Sequence, residues 1–162
     1  MSLERALAPL AVALAVIALA VWLMLINDIV LGPWLLALLV FMHGWVHLLF
    51  LFPKPAATDP GASGYPFDFA NSWLITRAGL GLGVVQGIGI VAIGLTFVLT
   101  TLAALSTVGL LVPVEWWASL MVAGALSSTV TLTLFFSRAL ILGYVNNALI
   151  VLLVVSGSWS PA

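Results

Sequence analysis

The chain has no cysteine, only two histidines, and only four basic and five acidic side chains in 162 residues. The missing cysteine removes disulfides, thiolate catalysis, iron–sulfur clusters and thiolate metal sites together. It leaves the redox compartment open. Charge is the second shortage: 6% of the residues are charged, against roughly a quarter in a soluble globular protein. Such a chain cannot cover a water-facing surface, so a membrane is its expected solvent. The formal net charge of -1 argues against nucleic acid, which needs a basic surface. No serine, histidine and acid can meet at one depth, which speaks against hydrolytic catalysis. The chain reads as non-enzymatic.

What is present is apolar. Hydrophobic residues make up 64% of the sequence, and the mean hydropathy is +1.32. The length allows a single domain. Hydropathy predicts an all-α integral membrane bundle of about five transmembrane helices, each near the ~20 residues that a bilayer core requires. The spans are expected at about 6–27, 33–52, 73–101, 114–136 and 139–155. The apolar run from Ala6 to Ile26 is longer than a signal-peptide core, so it is read as a retained span. Pro33 and Pro113 are placed to open helices. The segment 53–71 is rich in Pro, Gly and Ala and reads as a loop. Asn71 or Ser72 can cap the helix that follows. From Trp73 to Val112 the chain is almost uncharged, about twice what one span needs. Residues 102–112 could be helix extension, loop or part of another span.

With five spans, Arg5, Lys54, Arg77 and Arg138 fall on one side, and Asp28 and Glu115 on the other. The positive-inside rule then places the N-terminus and the 53–71 loop in the cytoplasm and the C-terminus outside. Trp34, Trp116, Trp117 and Trp159 agree by clustering at the outer boundary, with Trp73 near the inner one. The expected setting is a cytoplasmic (inner) membrane.

His43 and His47, the only histidines, lie one helical turn apart on the second span. Ionisable groups inside a membrane are costly and usually functional. Counting from the cytoplasmic ends places His43, Gln86, Ser127, Ser128, Asn146 and Asn147 roughly 10–15 Å deep. Lipid offers no hydrogen bonds, so these groups should face each other or a wet cavity. Thr129, Thr131 and Thr133 are weaker members, because threonine can bond back to its own helix. The first span contributes nothing at that depth and belongs at the periphery. Gly79, Gly83 and Gly87 repeat every four residues, a spacing that suits close helix packing.

Several readings of the histidine pair stand side by side. One imidazole could ligate haem or another tetrapyrrole, although two on one face cannot clamp a flat ring. Both could hold a metal ion, but a third ligand is missing. They could relay protons or bind a quinone or other small ligand. They could also belong to an interhelical network that fixes packing.

The runs His43-Gly44-Trp45-Val46-His47-Leu48 and Gly143-Tyr144-Val145-Asn146-Asn147, with Ser72-Trp73 and Trp116-Trp117 between them, carry a likeness. They resemble a group of small bacterial multi-pass membrane proteins with an HGxxHL-type motif on one span and a GxxxN-type motif on the last. The resemblance implies that the histidines and the late asparagine belong to one pattern. It supplies no activity, cofactor or partner. This chain departs from the group in its long third hydrophobic stretch and in Arg138. The expectation is a structural or accessory subunit of a membrane assembly, in contact with lipid and with other membrane subunits or further copies of itself. The alternative is a cofactor, small ligand or proton path at the layer around His43 and His47.

Overall fold

A computed structural model of the chain describes residues 31–52, 68–136, 140–157 and 161. The expected span 6–27, most of the 53–71 loop and the Ser137–Arg138 turn lie outside them. The described residues form helices and turns, with no strand among them. Helix α1 is Leu31–Leu48, α2 is the single turn Trp73–Thr76, α3 is Leu82–Thr107, α4 is Trp117–Leu134 and α5 is Ile141–Val155. Among the described residues, three helical stretches are long and apolar enough to cross a membrane: Gly32–Leu51, Leu82–Thr107 and Val114–Leu134. The apolar α5 is shorter.

Local chemistry explains the boundaries. Pro33 sits in the first turn of α1, where a missing N–H deprives the helix of nothing. Asp68 accepts from the Ala70 amide and caps the 3-10 turn Phe69–Asn71. Ser72 caps α2 by accepting from the Leu74 amide at 3.2 Å. It also donates to the Leu134 carbonyl at 2.7 Å, which ties the turn to the end of α4. The expected third helix is therefore two. The chain breaks after Thr76, with Gly79 at φ +69° and Gly81 extended as the N-cap of α3. An added Cβ at Gly79 would meet nothing within 4 Å, so only its backbone conformation resists a side chain. Gly79→Ala is expected to lower stability by about 1–2 kcal/mol, read from a denaturant titration in mild detergent. The far end of α3 runs on to Thr107, so residues 102–107 are helix. Residues 108–113 form a turn with Gly109 at φ 66° and Leu111 at φ 63°.

The long helices run up and down. α3 packs against both α1 and α4, and α4 packs against α5. Leu31, Thr107, Trp117 and Val155 mark one end, here the Glu115 end. Leu48, Leu82, Leu134 and Ile141 mark the other, the Arg77 end. Two apolar cores result. The core at the Glu115 end holds Ala37, Val40, Ala103, Ala104, Met121, Ala125 and Ile150. The core at the Arg77 end holds Leu74, Val85, Ile93, Leu132, Phe135 and Leu140. Buried polar residues lie between them: His47, Thr96, Thr100, Ser128, Thr131 and Asn147. Large apolar side chains cover the outside, among them Leu39, Val91, Leu142 and Val155. That is the surface of a protein dissolved in lipid.

The close helix approaches differ from the expected glycine stripe. Gly79 lies off the helix, and Gly83 and Gly87 are exposed with nothing within 4 Å of an added Cβ. Within the described bundle the crowded glycines are Gly44, Gly89, Gly124 and Gly143. Gly44 on α1 and Gly124 on α4 both abut Thr100 of α3, so three helices converge at one point. Trp45 stacks on Phe41 (centroids 6.3 Å apart) and meets Phe97 edge-on at 6.2 Å, which accounts for a tryptophan in mid-span.

Candidate functional site

The polar layer can be built one proton at a time. His47 Nδ1 lies 2.9 Å from the backbone oxygen of His43. A carbonyl only accepts, so Nδ1 carries the hydrogen, and in a neutral imidazole Nε2 is then an acceptor. Ser128 Oγ, 3.0 Å from that Nε2, must donate to it. Its hydrogen is then used, so Ser128 Oγ can only accept from its other neighbours. These are His43 Nε2 at 3.2 Å and Asn147 Nδ2 at 3.0 Å. His43 is thereby protonated on Nε2, and its Nδ1 accepts from Asn146 Nδ2 at 2.8 Å. Asn147 gives its second N–H to Thr129 Oγ1 at 3.0 Å, whose own hydrogen goes to the Ala125 carbonyl at 2.8 Å.

A single placement of hydrogens satisfies every one of these contacts, with both imidazoles neutral. A charged His47 would turn Nε2 into a donor and leave Ser128 facing three donors. Ser128 instead donates once and accepts twice, the full capacity of a hydroxyl. The chain of bonds closes on itself: the His43 ring donates to Ser128, Ser128 to the His47 ring, and the His47 ring back to His43. Serine from α4 thus fastens α1, and through Asn146 and Asn147 it fastens α5 as well.

A second hydroxyl cluster lies beside the first. Thr96 Oγ1 of α3 is 2.9 Å from Ser127 Oγ and 3.1 Å from Thr131 Oγ1. Of the residues expected in the layer, His43, Ser128, Asn146 and Asn147 come together, with Ser127 in the adjoining cluster; His47, expected one turn further towards the cytoplasm, joins them through Ser128. Gln86 does not. It is exposed on α3, ten residues before Thr96 and so about 15 Å nearer the Arg77 end. The expected depth fails because α3 begins at Leu82 and not at Trp73, which moves Gln86 into the second turn of its helix. Thr96 fills the place on α3 instead.

Thr96 is a member that sequence reasoning misses, and Thr129 and Thr131 are members that it undervalues. Each does bond back to its own helix, to Ala92, Ala125 and Ser127. That bond uses the hydrogen and leaves the oxygen lone pairs free: Thr129 Oγ1 accepts from Asn147 Nδ2 and Thr96 Oγ1 from Ser127 Oγ, while the 3.1 Å contact between Thr96 and Thr131 needs one of the two hydroxyls to turn from its own carbonyl. The signal was available: Asn147 brings two N–H groups into lipid and needs two acceptors.

For a metal, the geometry leaves little. The imidazole centroids are 5.2 Å apart at 77°. The lone pair of His43 Nδ1 is taken by Asn146, and that of His47 Nε2 by Ser128. An iron, zinc or copper ion at either ring would have to displace one of these hydrogen bonds. Among the described residues no three His, Asp or Glu side chains gather as a ligand set. One buried polar atom of the layer, Asn147 Oδ1, has no partner among the described residues.

The fold and the layer together define an all-helical membrane bundle with an internal polar fastener. Compared with family models, curated proteins and solved structures, the chain matches none.

Proposed function

We propose that this protein is a non-catalytic structural or accessory subunit of a larger membrane assembly. The observation that carries this reading is the closed hydrogen-bond circuit of His43, Ser128 and His47. Its lone pairs and hydrogens are committed within the bundle, so the histidines serve to join helices. A relay needs an open end for the proton, whereas here the last donor points at a backbone carbonyl of its own helix. Wide apolar faces on α1, α3 and α5 offer area to neighbouring subunits. The proposed setting is a bacterial cytoplasmic membrane, with Arg77 on the cytoplasmic side and Glu115 outside. The likeness to small bacterial membrane proteins with paired histidines supports this setting.

Solubilising native membranes in digitonin and separating the complexes by size is the test. The chain is expected to migrate well above its own 17.1 kDa, together with other membrane polypeptides. Migration as a lone monomer would remove the subunit reading. The absorption spectrum of the purified chain bears on the same point: a Soret band that disappears in His43→Phe would replace it with a cofactor role.

A further inference from the structure

α1 and α5 are joined by the His43–Asn146 bond and stand apart above it. A groove of about 490 Å³ opens between them towards the Glu115 end. Leu36, Leu39 and Val40 form one wall, and Leu149 and Leu153 the other, with Asn146 also in the lining. This volume is that of a small-molecule site, which is commonly apolar with a few placed polar groups.

The hydrogen-bond order of the layer fixes what Asn146 offers there. His43 Nδ1 requires an N–H, so the amide cannot flip to present its oxygen to the imidazole. Among the described residues that is the one hydrogen bond Asn146 makes. Its carbonyl oxygen and its second N–H are unused, at mid-bundle, where lipid cannot serve them.

Polarity along the groove then selects the occupant. It is polar at mid-depth, apolar over the ~10 Å of helix from Asn146 to Leu153, and meets Ser156 at its mouth. A phospholipid has the opposite order, because its head stays at the boundary and its hydrocarbon would lie against Asn146. A charged head at that depth carries a large penalty. A hydroxyl fits, since one group both donates and accepts.

We propose that the α1–α5 groove binds an uncharged lipophilic alcohol or phenol, hydroquinones included, with its hydroxyl on the Asn146 amide and its apolar body along Leu36, Leu39, Leu149 and Leu153. This goes beyond the subunit reading and is tested by a different measurement, so either can fail alone.

The test uses the purified full chain in phosphatidylcholine nanodiscs and three probes of one shape: 4-octylphenol, 4-octylanisole and octylbenzene. The phenol should raise the unfolding temperature saturably, with a midpoint at least tenfold below that of the anisole. Octylbenzene should give no saturable change. Leu149→Trp fills the groove from a position that is 58% exposed and leaves the His43–Asn146 bond intact. It should unfold at the parent temperature without probe and lose the phenol response. Equal effects of the three probes would show simple partitioning and overturn the proposal. A phenol response that survives Leu149→Trp, or no saturable response to any probe, overturns it equally, the last including a groove already filled by another part of the chain or by a second copy.

Discussion

Ser128→Ala is expected to destabilise the bundle by about 2–3 kcal/mol, more than any other single hydroxyl deletion in the layer. Ser128 Oγ makes three hydrogen bonds, to His43, His47 and Asn147. Interhelical hydrogen bonds inside membranes average only ~0.6 kcal/mol each, so the three together account for about 2 kcal/mol. The remainder comes from what is left behind. His47 is 2% exposed, and its Nε2 would become a buried acceptor without a donor, a penalty of about 1 kcal/mol or more. Ser127→Ala is the internal control, because Ser127 Oγ meets Thr96 alone among the described residues. It should cost less than about 1 kcal/mol. Reversible unfolding of both variants in mixed micelles reads the difference. Equal losses would mean that Ser128 is not the hub, and the order of protons derived above would fall with it.

Gly44→Leu should be worse still, with a loss of at least about 3 kcal/mol or failure to reach the folded state. A Cβ on Gly44 would run into the Thr100 side chain. Thr100 cannot step aside, because Gly124 of α4 closes on it from the other side and its hydroxyl is held by the Thr96 carbonyl at 2.8 Å. A leucine there has to push α1 off α3, and the His43–Ser128 bond lies one residue away. Gly83→Leu is the matched comparison. Nothing stands within 4 Å of a Cβ at that position, and leucine favours helix over glycine by up to ~1 kcal/mol. It should therefore be neutral or mildly stabilising in the isolated protein. Unfolding of the two variants side by side decides the matter: a loss at Gly83 equal to that at Gly44 would show that the glycine stripe on α3 is itself a packing face.

Much of this was legible because lipid simplifies the problem. Apolar runs bounded by Pro33, by Pro113 and by polar turns mark α1 and α4 within a few residues. The shared depth of His43, Ser128 and Asn147 follows from counting along helices that start where the sequence suggests. The same counting misplaced Gln86, because nothing in an uncharged stretch shows whether Gly79 and Gly81 pack or break. Both break. The role of the glycines was equally hidden: Gly44 and Gly124 belong to no four-residue repeat, and only the crossing at Thr100 makes them special. The direction of each hydrogen bond needed coordinates, since it follows from one distance, that between His47 Nδ1 and a carbonyl.

The band of polar contacts between two greasy cores has a mechanical consequence. Apolar contacts fix the offset of neighbouring helices along the membrane normal by shape alone, as where Gly44 and Gly124 close on Thr100, and leave small shifts free. Ser128 and Asn147 remove that freedom, because a shift of one turn moves a donor about 5 Å from its acceptor. When the bilayer grows thinner or thicker, this bundle should accommodate by tilting as a rigid body, and the surrounding lipid by stretching or compressing. Its helices keep their offsets, so a change of membrane thickness becomes a change in the angle of the whole bundle.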